Sequence, residues 1–228
     1  MPFPLYGVYL LPPTGLAAQI DTLRADLERR YGCHAARSFM VHCTLKGFFR
    51  LAENKTEEQI QQMLEPVLAT FPAFEVQQKA ITQVLSSVLI DLASRENPRF
   101  EELYNTIFHQ IDPEFVHPDC PFTPDERKYG FAAHITLASL KDQPNNEVEE
   151  ATEFAQQAAK ERNLLQPFLA RKVVLYRLTT QHTAWDDSER CWERFHYTAL
   201  HTWRLRNGCL TNLWSFRQPD KDAQIHYT

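Results

Sequence analysis

The chain has 228 residues, of which 43% are hydrophobic and 23% charged, a composition typical of a folded globular protein. Lys and Arg number 24 against 29 Asp and Glu, and this net charge of −5 argues against a broad basic surface for duplex nucleic acid. The 6 glycines match neither glycine-rich phosphate-loop motif, and the 5 cysteines, without a C-x-x-C pair, favour reduced thiols in the cytoplasm over a disulfide framework.

The N-terminal part predicts a strand, a helix and a second strand. Residues 5–11 are a short apolar run between prolines, which predicts a buried strand. The run is too short for a membrane span and no Lys or Arg precedes it, so we expect neither a membrane anchor nor a signal peptide. Apolar residues recur at helical spacing from Leu16 to Leu27, with Asp and Arg on the other face, and this helix should stop near Gly32. Residues 39–49 have a polar side chain at alternate positions, which predicts a half-buried strand.

The middle of the chain predicts two helices separated by a pair of strands. Thr56 followed by Gln59 forms a capping box for a helix near residues 56–70. Asn97 and Pro98 supply an N-cap and a first-turn proline for the second helix. The two strands between these helices are expected at residues 74–81 and 84–92. A long proline-rich loop is expected after the second helix, at residues 111–128.

The last part of the chain predicts one more helix and three strands. These elements, in the order strand, helix, strand, strand, are expected at residues 131–140, 146–162, 173–178 and 192–205. Because strands outnumber helices and the two alternate irregularly, the sequence predicts an α+β fold.

A four-residue motif, H-x-T-L, occurs twice. The two tetrads begin at His42 and His134, and each lies within a predicted strand. Each is followed by a helix and then by a strand that opens near a phenylalanine, Phe74 or Phe168. One such tetrad is weak evidence, but two with matching surroundings predict two similar lobes. We therefore expect one bilobal domain over residues 1–228, made of an N-terminal strand and helix (3–31), a first unit (about 36–92) and a second unit (about 130–205).

Strand geometry brings the polar residues of each tetrad together. Residues i and i+2 of a strand share a face, so His42 and Thr44 should point into one space, and His134 and Thr136 likewise. If the lobes face each other, two imidazoles and two hydroxyls meet in one groove. One neutral histidine would take a proton from a nucleophile, and one protonated histidine would give a proton to a leaving oxygen. With the hydroxyls on the non-bridging oxygens, this set predicts metal-free attack on a phosphodiester.

The paired tetrads resemble those of the 2H phosphoesterase superfamily, which includes 2′-5′ RNA ligase-like proteins and cyclic nucleotide phosphodiesterases. The resemblance covers about residues 3–180, including the segment FEVQQKAITQVLSSVLIDLA before the second tetrad. It implies two pseudo-symmetric β-sheet lobes with outer helices and a central groove for a 2′,3′-cyclic phosphate or a 2′-5′ linkage. It also transfers the catalytic pair onto His42 and His134, and the phosphate contacts onto Thr44 and Thr136.

Three further side chains are candidate substrate contacts. Lys46 continues the alternation of the first tetrad and is expected on the groove side, with a solvated lysine at a strand end as the alternative. Arg127 and Tyr129 end the long loop just before the second tetrad, where an arginine can clamp a phosphate and a tyrosine can stack on a base. A solvated loop end is the alternative for both.

The sequence predicts an enzyme without a metal or cofactor. His117, Asp119 and Cys120 lie in a proline-rich loop without a paired ligand motif, so we expect no metal site there. The favoured reaction is hydrolysis of the 2′,3′-cyclic phosphate of a nucleotide or RNA end by a cytoplasmic monomer with no membrane and no obligate protein partner. A 2′-5′ phosphodiesterase or RNA ligase-like activity is one alternative, and a weakly active RNA- or nucleotide-binding protein is another. Which histidine is the base stays open.

Overall fold

A computed structural model describes residues 3–120, 131–141, 143–180, 185 and 195–206. They form four α-helices and nine β-strands, so the α+β class predicted from the sequence is confirmed. The helices are α1 (Thr14–Tyr31), α2 (Glu57–Leu68), α3 (Pro98–Phe115) and α4 (Asn145–Glu161). The strands are β1 (Leu5–Leu11), β2 (Cys43–Arg50), β3 (Phe74–Val76), β4 (Ala80–Val84), β5 (Ser87–Asp91), β6 (His134–Ser139), β7 (Phe168–Ala170), β8 (Lys172–Thr180) and β9 (Phe195–Arg204). Over these residues, no helix has the length and apolar character needed to cross a membrane.

The strands pair antiparallel in three sheets. The largest has the order β2-β1-β8-β9, a second has the order β4-β5-β6, and β3 pairs with β7. The two sequence units share these sheets: β8 and β9 from the second unit lie in the sheet that holds β2, whereas β4 and β5 from the first unit lie in the sheet that holds β6. The first tetrad therefore belongs to the four-stranded sheet and the second to the three-stranded sheet.

Strand β1 explains how the four-stranded sheet is covered on both faces. Tyr6, Val8 and Leu10 lie in the main core, against the helices and the other sheets. Leu5 and Tyr9 point to the opposite face and join a second, smaller cluster. The other buried members of that cluster are Phe39, Val174, Tyr176 and Leu178. A strand buried on both faces is apolar at successive positions, as the N-terminal run of this sequence is.

The ends of the first two helices follow their predicted signals. Gly32 follows α1 with a φ of 70°, a left-handed conformation that glycine adopts without steric cost. At the start of α2, the Gln59 N–H donates to the Thr56 hydroxyl at 3.3 Å, and the Thr56 N–H donates to the Gln59 side chain at 2.9 Å. The capping box predicted for α2 is therefore confirmed.

Two predicted boundaries are wrong. The loop expected over residues 111–128 begins later, because α3 continues far enough to bury Ile111 and Phe115 in the main core. The rest of that loop lies largely outside the described residues. The strand expected over residues 74–81 is divided between β3 and β4, and a tight turn at Leu85 joins β4 to β5.

Candidate active site

The two tetrads lie next to each other at the junction of the two larger sheets. His42 directly precedes β2, and His134 is the first residue of β6. The strands meet at Cys43, whose thiol faces the backbone N–H of His134. Burial raises the pKa of the Cys43 thiol to about 12, so this residue separates the tetrads as a neutral, buried group.

Both tetrads show the same alternation of buried and partly exposed side chains. His42 and Thr44 are half-buried, and so are His134 and Thr136. The residues between and after them are buried: Cys43, Leu45, Ile135 and Leu137. The histidine and threonine of each tetrad thus occupy the open side of their strand, as the period-two argument predicts.

Each tetrad ends in a β-bulge at its leucine. On β2, Thr44 pairs with Tyr9 and Lys46 pairs with Val8, so Leu45 is the extra residue. On β6, Thr136 and Ala138 pair with adjacent residues of β5 in the same way, so Leu137 is the extra residue. A bulge inserts one residue and rotates the strand beyond it. The face that carries the histidine and threonine therefore stops at the threonine in both strands.

The bulge shows that the groove-side placement predicted for Lys46 is wrong. Lys46 is 0% exposed, and its Nζ lies 3.8 Å from the Asp112 carboxylate of α3 and 4.8 Å from the centre of the Phe108 ring. The prediction assumed an unbroken alternation from Thr44 to Lys46, whereas the extra residue turns Lys46 into the core. In this structure Lys46 is a buried partner of Asp112 on α3.

The same hydrogen bond fixes both imidazole rings. His42 Nδ1 lies 2.7 Å from the carbonyl oxygen of Met40, and His134 Nδ1 lies 2.7 Å from that of Ala132. A carbonyl oxygen only accepts, so Nδ1 carries the proton and donates in each ring. The hydrogen bond thus defines the tautomer, and in the neutral ring Nε2 carries the lone pair in both histidines.

The surroundings of His42 favour the neutral imidazole. The rings of Tyr9 and Phe39 pack edge-on against it, with centroid distances of 4.7 and 4.6 Å. This burial lowers the pKa of His42 to about 3, although the hydrogen bond to Met40 acts in the opposite direction. The positive charges of Arg24 and His134 also lower it, to a smaller extent. His42 is therefore a neutral base at neutral pH.

His134 lies at the wall of a cavity of about 420 Å³ beside β4, β5 and β6. Asp91, the cross-strand neighbour of His134, also lines the cavity, and its carboxylate accepts the Ala93 N–H at 2.8 Å. Other lining residues are Lys79, Thr82, Val84, Leu89, Ser94, Arg95, Glu96, Ala132 and Ala133. His134 thus borders a mixed polar and apolar space that is large enough for a nucleoside, whereas His42 is enclosed by aromatic rings.

The sequence prediction missed one buried charge next to the tetrads. Arg24 was expected on the exposed face of α1, but it is 1% exposed and donates hydrogen bonds to the carbonyl oxygens of Thr136 and Phe39. A signal for it exists in the sequence, since position 24 follows Ile20 by four residues and so lies on the apolar stripe of the helix.

Some of the remaining candidate substrate contacts and metal ligands lie outside the described residues and some lie within them. Arg127 and Tyr129 lie outside them. His117 accepts the Asp119 N–H at its Nδ1 in a local turn. Within the described part of the chain, no three His, Cys, Asp or Glu side chains are grouped as a metal site requires. That the reaction needs no metal therefore stays a prediction, which a chelation experiment tests.

Comparison with known proteins identifies related folds. A family model described as the 2′-5′ RNA ligase superfamily matches residues 12–182. The structure of E. coli LigT complexed with phosphate is 15% identical, covers 88% of this chain and 96% of its own, and has a TM-score of 0.55. The 3′-AMP complex of LigT is 14% identical with the same coverage and a TM-score of 0.56. The protein TT0787 of Thermus thermophilus is 12% identical, covers 90% of this chain and 99% of its own, and has a TM-score of 0.59. No curated protein matches the chain.

Proposed function

Since the chain belongs to the 2′-5′ RNA ligase superfamily, we propose that it is a phosphodiesterase that hydrolyses the 2′,3′-cyclic phosphates of nucleotides or RNA ends. Family membership supports an activity on phosphodiesters in this broader sense, and the resemblance of the tetrads to 2H phosphoesterases is confirmed by it. The observation that carries the finer proposal is the pair of Nδ1 hydrogen bonds, which leave two Nε2 atoms for proton transfer in one small region.

His42 is the general base in this proposal. Its half-buried ring, which packs against Tyr9 and Phe39, is neutral at physiological pH, so Nε2 carries a lone pair that accepts a proton from the attacking water. A pKa of about 3 describes a weak base, but a phosphate anion bound beside the ring favours the imidazolium and raises the pKa in the complex. The substrate thus increases the basicity of the group that activates its nucleophile.

His134 is the general acid. Its place at the wall of the cavity lets the leaving oxygen of a bound substrate reach the ring, which acts as the proton donor in this proposal. The water oxygen forms a bond to phosphorus, and the bond from phosphorus to the 2′ or 3′ oxygen of the ribose breaks. His134 gives its proton to that oxygen while His42 holds the proton of the water. The product is a phosphate monoester with one free ribose hydroxyl.

Thr44 and Thr136 are the proposed phosphate contacts. Both are half-buried, and each lies on the same strand face as the histidine two residues before it. Their hydroxyls would donate to the two non-bridging oxygens, and a hydrogen bond to a charged acceptor is about twice as strong as one between neutral groups. The hydroxyls stabilise the charge that builds on those oxygens during attack.

The cavity beside His134 supports a nucleoside as the group attached to the phosphate. Its volume of about 420 Å³ is in the range of small-molecule sites, and both apolar and hydrogen-bonding side chains line it. The structurally similar LigT protein has been solved with phosphate and with 3′-AMP. A ligand with a phosphate next to a ribose thus suits both the fold relative and the site geometry.

Ligation through a 2′-5′ linkage is the second candidate. The family description names RNA ligases, and two histidines that cleave a phosphodiester also catalyse its formation in reverse.

The proposal also includes a monomer in the cytoplasm. The described cysteines that support reduced thiols are Cys33, Cys43 and Cys120, which are buried and are not joined in disulfides.

A substrate panel tests the proposal. The purified chain is incubated with 2′,3′-cyclic mononucleotides, a 2′-5′ dinucleotide and an RNA ending in a cyclic phosphate, each with and without EDTA, and the products are separated by chromatography. We expect monoester products from the cyclic phosphates, at equal rates in EDTA. Cleavage of the 2′-5′ dinucleotide alone would favour the second candidate, and tight binding without any turnover would favour a binding protein. Loss of activity in EDTA with recovery in a divalent ion would contradict metal-free chemistry.

A further inference from the structure

One arginine links the backbone of the second tetrad to the segment just before the first tetrad. Arg24 lies on α1, and its Nε and Nη2 donate to the Thr136 carbonyl oxygen at 2.9 and 2.6 Å. Its Nη1 donates to the Phe39 carbonyl oxygen at 3.1 Å. Thr136 is the phosphate contact of the second tetrad, and Phe39 is three residues before His42 and packs on its ring at 4.6 Å. A single guanidinium therefore contacts the backbone of both catalytic segments.

The chemistry of these contacts requires an arginine. The planar guanidinium has donors pointing in several fixed directions, so it can bond two carbonyls on different strands at once, which a lysine ammonium does less well. All three hydrogen bonds go to neutral carbonyls. Burying a charge against neutral partners is costly, and an apolar side chain would cover the same stripe of α1 at a lower cost. The arrangement thus calls for a role other than packing.

We propose that Arg24 is a positioning residue, which fixes the segment around His42 relative to the second tetrad so that base, acid and phosphate contacts stay in register. The inference rests on the proposed function, because the two segments that Arg24 holds together carry the proposed base and the proposed acid. Arg24 does not touch the substrate. It acts through the Thr136 carbonyl on one side and through Phe39, a wall of the His42 ring, on the other.

The charge of Arg24 gives this role a second, measurable effect. Burial lowers the pKa of Arg24 to about 10, so it stays protonated at neutral pH. The groups that face His42 are Tyr9 from β1, Arg24 from α1 and His134 from β6. Of these, Arg24 is the permanent cation, and it lowers the pKa of His42. Removing the charge therefore alters the titration of His42, whereas removing only the geometry does not.

Two substitutions separate geometry from charge. Arg24→Lys keeps the cation but loses the forked hydrogen bonds, and Arg24→Met keeps much of the volume but loses both. Arg29→Met on the exposed side of the same helix is the matched control. For each variant, circular dichroism and thermal unfolding give the folded fraction, and kcat, KM and the pH dependence of kcat/KM are measured with 2′,3′-cyclic AMP.

We expect kcat per folded molecule to fall by about 10- to 100-fold in both Arg24 variants, with KM changed by less than about threefold, because misplaced catalytic groups affect the transition state. The acidic limb of kcat/KM should move to higher pH in Arg24→Met and stay in place in Arg24→Lys. Arg29→Met should match the unchanged chain. A kcat per folded molecule within twofold of the unchanged chain in both Arg24 variants would show that Arg24 only stabilises the fold.

A measurement that needs no turnover keeps this test separate from that of the proposed function. NMR of the imidazole carbons follows the His42 titration in the unchanged chain, in Arg24→Met and in Arg24→Lys. Changed chemical shifts of the His42 imidazole at pH 7 in both Arg24 variants, together with an upward shift of the His42 pKa in Arg24→Met alone, support the inference even if no cyclic phosphate is hydrolysed. Identical titration curves in all three proteins would contradict it.

Discussion

His42 and His134 present the same ring nitrogen for chemistry, because each donates Nδ1–H at 2.7 Å to the carbonyl oxygen two residues before it. Their surroundings differ, since aromatic rings enclose His42 and a cavity opens beside His134. Burial lowers the pKa of His42 and so favours its neutral form, which the base of an acid–base pair requires. The division of labour in the proposed reaction follows from this contrast.

Replacing either histidine tests the pair directly. We expect His42→Ala and His134→Ala each to lower kcat on 2′,3′-cyclic AMP by about 10² to 10⁴, the usual effect of removing a general acid or base. The double variant should lose far less than the product of the two single effects, since the pair acts as one unit. His109→Ala, an exposed position on α3, is the control. Near-normal turnover in one single variant would remove that histidine from the mechanism.

The threonines should matter less than the histidines. Thr44→Val and Thr136→Val keep the side-chain shape and delete one charge-assisted hydrogen bond, which is worth about 1.5–3 kcal/mol and so about 10- to 150-fold in kcat. Steady-state kinetics measures this, with Thr106→Val on α3 as the control, since that hydroxyl bonds only within its helix. Unchanged kcat in both variants would place the phosphate elsewhere.

The pH dependence of kcat/KM should be bell-shaped with a displaced acidic limb. Because burial lowers the pKa of His42 to about 3, the base stays neutral well below pH 6.5, where an ordinary histidine is half protonated. We therefore expect kcat/KM with 2′,3′-cyclic AMP to show no acidic limb between pH 6.5 and pH 5, because that limb lies at lower pH. A limb at or above pH 6.5 would argue against a buried neutral base in the free enzyme.

The same shift predicts how the free energy of unfolding changes with pH. The pKa of His42 is about 3 in the folded chain and about 6.5 in the unfolded chain, so between these values the unfolded chain binds more protons. Stability should therefore fall as pH decreases from 6.5, by up to about 1.4 kcal/mol per pH unit from this group. Urea unfolding at pH 7, 6 and 5 should show a smaller slope in His42→Gln than in the unchanged chain. In His109→Gln the slope should be unchanged, and an equal slope in His42→Gln would contradict the prediction.

Lys46 should affect stability and leave the chemistry alone. Lys46→Met leaves the Asp112 carboxylate buried without its cation 3.8 Å away, and breaking such a pair costs about 3–5 kcal/mol. Asp112→Leu in the same chain should recover part of this loss, since an apolar pair is well tolerated. Lys55→Met, which removes the partner of the more exposed Glu114, should cost about 0–1 kcal/mol. A loss of kcat per folded molecule in Lys46→Met would return Lys46 to the site.

The sequence carries the catalytic motif more clearly than its surroundings. The repeated motif identifies the candidate residues directly, and strand geometry places His42 on the same face as Thr44 and His134 on the same face as Thr136. The Nδ1 hydrogen bonds could not be predicted, because they depend on the backbone path just before each strand. The sequence predicts the strand of the first tetrad from residue 39, but pairing begins only at Cys43, and the irregular segment before it supplies the acceptor for His42.

Lys46 and Arg24 show where sequence patterns stop being informative. A bulge is defined by the register with a partner strand, which local composition does not reveal, so Lys46 was placed on the wrong face. Arg24 lies on the apolar stripe of α1, yet it is buried. Because arginine is seldom fully buried, its charge leads to a prediction of exposure even at such a position. Both misplacements concern charged side chains whose burial depends on partners distant in the chain.

The paired bulges make the functional surface of each strand only one histidine and one threonine long. The residue after each leucine points away from this surface, so the two tetrads need not match there. The first tetrad is followed by Lys46 and the second by Ala138, and both are buried. Substitutions beyond the leucines should therefore change the stability of the chain, as predicted for Lys46→Met, without altering the surface that carries the histidine and threonine. Transplanting the chemistry would instead require the extra residue itself, since a regular strand would carry the next side chain into the groove.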